Sequence, residues 1–276
     1  MNEPLKHLSH WVNHLLGPYA LWLLHALRIQ PTDFEQPIPE YVVMSLVVFF
    51  LGTILALVLR SRLSVERPGG IQQTAELLLT NSMGFGIRDL LEENISHGAS
   101  KYISFVGTIA VFVLLSNLLG VFPEFSSPTA NAVVPLACAV LVFLYFNWQG
   151  VRHHGVGHYL LTFAGSPKTF GDWLLAVLLF PVELISTSAR LLSLTVRLWA
   201  NIFASDLIYM IFLGLLLAPF EWAWTKSPAL GVFFGVFPVF IPLLFVALHI
   251  FVSFVQAYIF TVLPSIYIGL AVADEH

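Results

Sequence analysis

The sequence predicts an all-α integral membrane protein of about five membrane helices plus an amphipathic surface helix, and three observations predict it. The chain is 58% hydrophobic and 10% charged, whereas a soluble domain carries about 25% charged residues. Its mean hydropathy is +0.84. Its apolar residues gather in uncharged runs of bilayer-crossing length, about 20 residues as a helix. The net charge of −4 comes with no basic tract, so no nucleic-acid partner is expected. Cys138 is the one cysteine and excludes an internal disulfide framework; its ordinary reading is a small buried apolar residue.

Residues 1–40 read as an external N-terminal interfacial segment, helix or loop, anchored by Trp11, Tyr19 and Trp22. The opening MNEPLKHLSHWVNHLL lacks the apolar core and small-residue cleavage site of a signal peptide. It also lacks the Arg- and Ser-rich character of an organelle leader, so it reads as mature and bacterial. Residues 41–273 read as one membrane domain. Its first span lies near 41–60 and is followed by Arg60, Arg62, Arg67 and Pro68-Gly69-Gly70. Residues 71–98 carry charges too often for a span yet cluster apolar residues helically, which suits a helix along the membrane surface.

The second span lies near 102–122 and the third near 132–148, slightly short and carrying Pro135; Pro123 to Pro128 is the polar turn between them. The next loop holds Arg152, His153, His154, His158 and Lys168. Its histidines have loose spacing and no accompanying Cys or carboxylate, so a solvated loop is expected rather than a metal site. The loops at 60–101 and 149–172 hold seven Lys and Arg, and the 123–131 turn holds none. By the positive-inside rule those two loops are cytoplasmic, which places the N-terminus outside and the C-terminus in the cytoplasm.

The last two spans, near 172–218 and 229–273, are unusual. Glu183, Arg190, Arg197 and Asp206 interrupt the first. From Ser227 to Ala273 the chain carries no formal charge. As one helix that stretch would run ~70 Å against a hydrocarbon core of ~30 Å. It must tilt or break, with Pro238 and Pro242 as kink sites and a turn from Pro219 to Pro228 before it.

An arginine keeps its proton in a protein, and at a helix centre in lipid it costs about 2.5–3.5 kcal/mol on insertion scales. The bland reading of Arg197 is a side chain snorkelling from a helix end. Apolar residues on both sides oppose it. Glu183, Arg190 and Arg197 recur every seven residues and share a stripe with Asn201, while Asp206, nine residues beyond Arg197, falls on the opposite face. On the last segment His249 and Gln256 share a face, with Ser253 between them. A lone apolar-face histidine is commonly a hydrogen-bonded core residue, but an intramembrane Asp and His together suit a proton relay. No phosphate loop, zinc-protease helix or nucleophile elbow appears, so neither catalysis nor a cofactor is expected.

The segments SLTVRLWANIFASDLI and HIFVSFVQAYIFTVL resemble subunit a of the F-type ATP synthase, the stator subunit beside the rotating c-ring; NLLGVFP and SPTAN add to the resemblance. The likeness implies that the last two helices form a strongly tilted hairpin along the c-ring. It implies that Arg197 is the family's essential arginine, with Asn201, Asp206, His249 and Gln256 at its other proton-translocation positions. The chain departs at Trp199-Ala200, where Phe-Gly is commoner, and at Asp206, where Glu or His is frequent. The implied mechanism has two half-channels, with Arg197 between them and Glu183, Arg190 and Ser193 lining the cytoplasmic one. Implied partners are the c-ring, peripheral-stalk b subunits and the rest of the synthase, in a bacterial inner membrane.

Two rivals remain open on the residues alone. A proton-coupled secondary transporter also suits buried Arg, Asp and His, although no inverted repeat is visible. A haem or quinone enzyme would need a second mid-span histidine beside His249. A sodium-driven synthase is a third variant, since ion choice rests largely on the rotor carboxylate's surroundings.

Overall fold

The computed structural model describes residues 3–28, 30, 33–34, 36–64, 68–80, 86–95, 98–122, 125–165 and 170–273. Nine helices hold most of them: α1 (Glu3–Ala26), α2 (Glu40–Ser61), α3 (Gly70–Leu79), α4 (Ile87–Asn94), α5 (Ile103–Leu119), α6 (Val133–His154), α7 (Val156–Thr162), α8 (Phe170–Lys226) and α9 (Pro228–Val272). No strand occurs among the described residues. Four segments are long and apolar enough to cross a membrane: Glu40–Ser61, Val133–His154, Asp172–Lys226 and Pro242–Val272, with Ile103–Leu119 a shorter apolar helix. The protein is an all-α integral membrane protein. In lipid only a helix satisfies its own backbone within one segment, which is why uncharged runs of this length take that form.

The chain divides into two compact units. The first comprises Met1–Ile54, Leu114–Val134 and Ala200–Phe254, and the second Leu55–Val113, Pro135–Trp199 and Val255–His276. In the first unit, Asn13 of α1 bonds Ile38 twice, its Nδ2 donating to the carbonyl at 3.1 Å and its Oδ1 accepting from the amide at 2.8 Å. This reciprocal pair ties α1 to the segment that leads into α2. Glu40, in the first turn of α2, accepts from the Ser126 hydroxyl at 2.8 Å. Val43, Met44 and Val48 form the buried side of α2. There α8 and α9 run antiparallel, with Ser205 meeting His249 and Phe212 meeting Phe245.

In the second unit, Phe105 of α5 stacks on Tyr145 of α6 with ring centroids 3.6 Å apart. Helix α4 buries Ile87, Leu90 and Leu91 and exposes the Arg88–Glu92 ion pair, an i,i+4 arrangement. Gly269 of α9 packs on the last turn of α4, where a Cβ would collide with the Asn94 carbonyl oxygen. Buried Ala110, Ala139, Ala257 and Ala271 accompany it. Lipid removes most hydrophobic gain from helix pairing, so small residues that admit close backbone approach carry the packing. Large apolar side chains meanwhile face outward along α8, Leu174 at 79% and Met210 at 71% exposure. That is costly in water and natural in lipid.

Two expectations need correcting. Residues 71–98 hold two helices, α3 and α4, rather than one. Thr80 caps α3 in extended conformation (φ −140°, ψ 113°), and Gly86 precedes α4 (φ −67°, ψ 148°); glycine disfavours helix interiors. The turn expected from Pro219 to Pro228 shrinks to Ser227. Helix α8 continues through Pro219 to Lys226, and Pro228 opens α9 at a position where a missing N–H costs nothing. Helix α9 continues through Pro238 and Pro242, as a tilted rather than broken segment would. A proline removes one helical hydrogen bond, and the flanking turns carry a membrane helix through it.

Candidate functional site

Two clusters of polar groups stand out in apolar surroundings, one in each unit. The first centres on His249, which is 7% exposed. Helix α5 ends at Leu119, so its last carbonyls lack a donor four residues on. The Asn117 carbonyl is one of these. It accepts from the Gly120 amide at 3.1 Å, and His249 Nε2 lies 3.1 Å from it. On the ring's other side Nδ1 is 3.0 Å from Ser205 Oγ and 3.7 Å from Asp206 Oδ1. Asp206 is therefore close enough to act electrostatically and too far for a hydrogen bond. Ser205 holds the nitrogen.

A cavity of about 220 Å3 adjoins this cluster, lined by Gly120, Ser205, Asp206, Tyr209, Phe245 and His249 among others. It has room for several water molecules and enough polar groups to hold them. Gly120 keeps this region open, because a Cβ there would sit 2.9 Å from Ser127 Cβ and 3.5 Å from His249 Nε2. Behind it, Thr129 Oγ1 donates to Asn117 Oδ1 at 2.6 Å and lies 2.7 Å from Ser127 Oγ, which donates to the Ser116 carbonyl at 2.9 Å. Ser116 Oγ and Asn117 Nδ2 are buried without a partner among the described residues. Ser253 spends its hydroxyl on the His249 carbonyl at 2.8 Å, a helix-internal bond that keeps it out of the cluster.

The second cluster surrounds Arg190. Its guanidinium meets Glu183 Oε1 at 3.3 Å and lies 5.5 Å from the centroid of the Tyr267 ring. Tyr159, Thr187 and Tyr267 join them around another cavity of about 220 Å3. Tyr159 reaches it from α7 while donating to Asn147 Oδ1 at 3.1 Å. Burial raises the Tyr159 phenol above its ordinary pKa, and Arg190 pulls the other way.

The remaining expected residues lie as follows. Arg197 is half-buried and donates to Ser193 Oγ, one turn before it, at 3.4 Å. Among the described residues no ion pair includes Arg197. Asn201 is exposed and lines neither cavity. Gln256 is buried, and its Oε1 has no partner among the described residues. The rings of His154 and His158 are 5.8 Å apart, and no metal-holding group of His, Cys, Asp or Glu occurs among the described residues.

The sequence model of the ATP synthase A chain family matches residues 41–269. The chain belongs to the ATP synthase A chain family. It is 41% identical to the ATP synthase subunit a of Solibacter usitatus (strain Ellin6076) over 241 residues, 87% of this chain and 90% of that one. It is 35% identical to the subunit a of Koribacter versatilis (strain Ellin345) over 263 residues, 95% of this chain and 94% of the relative. Against the subunit a of Geobacter sp. (strain M21), identity is 31% over 262 residues, 95% of this chain and the whole relative.

Within this family member, Ser205, the Asn117 carbonyl, Tyr159 and Tyr267 escaped the sequence reading. Ser205 directly precedes Asp206, and Ser116-Asn117 is a polar pair inside an apolar run. Tyr267 falls eighteen residues after His249, five turns along an ideal helix. Each is a usable signal. A backbone carbonyl has no sequence signature.

Proposed function

We propose that this chain is the ion-conducting stator subunit of a rotary ATP synthase, non-catalytic by itself, whose two half-channels load and unload protons on c-ring carboxylates. The observation that carries the reading is the state of Arg197. It is a permanent cation in an apolar helix, it joins no ion pair among the described residues, and Glu183, on the same helix, is engaged by Arg190. Such a charge is expensive in lipid unless a carboxylate comes to it, and a rotor carboxylate would do so once per passage.

Protons enter from the outer half-channel past Asp206 and His249, with Asn201 and Gln256 assisting, and protonate the rotor carboxyl. The neutral acid crosses lipid at tolerable cost, which its ionised form does not. After nearly a full turn it releases the proton toward Glu183, Arg190 and Ser193. Arg197 favours the ionised carboxylate as it passes and opposes direct leakage between the half-channels. Each charge crossing is driven by about 2.3 kcal/mol per 100 mV.

The chain works with c-ring, peripheral-stalk b and the other synthase subunits in a bacterial inner membrane. Residues 1–40 form an external segment, residues 41–273 the membrane domain, and the C-terminus is cytoplasmic. The test is ATP-driven proton pumping by the complete synthase in vesicles carrying Arg197→Ala. Pumping is expected to vanish; coupled pumping at the wild-type rate overturns the reading. Pumping by the wild type that demands sodium would reassign the ion.

A further inference from the structure

We propose that His249 takes up and releases its proton at one atom, Nδ1, with Ser205 as the positioning residue for that nitrogen. The proposal rests on the reading of His249 as a proton-transfer group and names the atom and neighbour through which it acts.

The reasoning starts at the end of α5. A backbone carbonyl only accepts hydrogen bonds, so the 3.1 Å contact between Nε2 and the Asn117 oxygen requires a hydrogen on Nε2. That oxygen has two lone pairs, one taken by the Gly120 amide and one left by the end of the helix. A neutral imidazole carries one N–H, so Nδ1 is bare and accepts from the Ser205 hydroxyl at 3.0 Å. The same lone pair stands 3.7 Å from Asp206 Oδ1 beside the cavity.

Uptake then breaks one O–H bond, on cavity water that carries the incoming excess proton or on a protonated Asp206, and forms one N–H bond at Nδ1. The Ser205 hydroxyl turns so that its oxygen accepts from the new N–H, and the Asp206 carboxylate faces the imidazolium. Release reverses these changes at the same nitrogen. Passage through the ring would require Nε2 to surrender its proton to an amide carbonyl, which is not a base in water or protein. His249 therefore exchanges its proton with the outer path at Nδ1 and does not pass it through the ring.

The experiment is nitrogen-15 solid-state NMR of the complete synthase in vesicles, with labelled histidine and the His249 signals identified by their loss in His249→Gln. Over a pH titration the neutral ring is expected only as the Nε2–H tautomer, converting directly to imidazolium. Ser205→Ala is expected to move the bare Nδ1 resonance, and Ser205→Thr to restore it. Proton entry from the outer side should slow roughly twofold to tenfold in Ser205→Ala, the range for one lost hydrogen bond. A neutral Nδ1–H tautomer at any pH, or an Nδ1 resonance unmoved by Ser205→Ala, overturns the proposal. Wild-type proton flux in His249→Gln would instead sink the relay reading, an outcome read separately from the resonances.

Discussion

His249 and Asn117 are 132 residues apart in the chain, and the imidazole Nε2 of one lies 3.1 Å from the backbone carbonyl of the other. The contact uses an acceptor that exists because α5 stops two residues later. An interhelical hydrogen bond of this kind contributes about 0.6 kcal/mol on average in a membrane bundle. Its importance lies in orientation: it turns Nδ1 toward Ser205 and Asp206.

The space for this contact depends on Gly120. In Gly120→Ala the new methyl would press on Ser127 Cβ at 2.9 Å, and relief requires moving a buried turn. Overpacking of this sort costs about 1–3 kcal/mol. A lower thermal midpoint of the purified synthase is expected, with slower outer-side proton entry; an unchanged midpoint would show that the turn yields freely.

Arg197→Lys keeps a positive charge and still should fail. An ammonium in a desolvated site gives up its proton, and it lacks the planar fork that meets a carboxylate with two bonds. ATP-driven acidification of vesicles is expected to drop to background. Wild-type pumping by the lysine variant would mean that any cation suffices.

Asp206→Asn preserves size and leaves both hydrogen bonds of His249 in place, so assembly should survive. Removing a group that exchanges protons should slow entry from the outer side roughly tenfold or more. The initial rate of proton uptake under an imposed potential measures this directly. An unaltered rate removes Asp206 from the path.

Arg190→Gln breaks an ion pair whose partners are 27% and 43% exposed. Pairs this open contribute about 0–1 kcal/mol, so the thermal midpoint should hardly move. Proton release on the cytoplasmic side should slow nonetheless, because Glu183 and Tyr267 lose the cation between them. A large loss of stability with normal release would assign Arg190 a structural role only.

Much of the architecture was legible because lipid imposes it. Uncharged runs ending at Arg60 or opening after Asp172 left the backbone one economical form, the helix. The seven-residue recurrence of Glu183 and Arg190 anticipated a shared face, and the two side chains meet. Where the helix ended was harder. Pro219 looked like punctuation yet lies inside α8, since a proline interrupts one bond while the surrounding apolar sequence still demands helix.

Sequence by itself determined the all-α membrane class and the family, and it identified the polar residues that apolar helices carry at a cost. Periodicity tells which way a side chain points around its own helix and nothing of what stands opposite. Only the tertiary structure decided that Ser205, not Asp206, holds His249 Nδ1, and that Asn117 contributes its backbone rather than its side chain to the ring. The difference between 3.0 and 3.7 Å separates a hydrogen bond from a neighbouring charge. That distance belongs to the packing of helices remote in sequence.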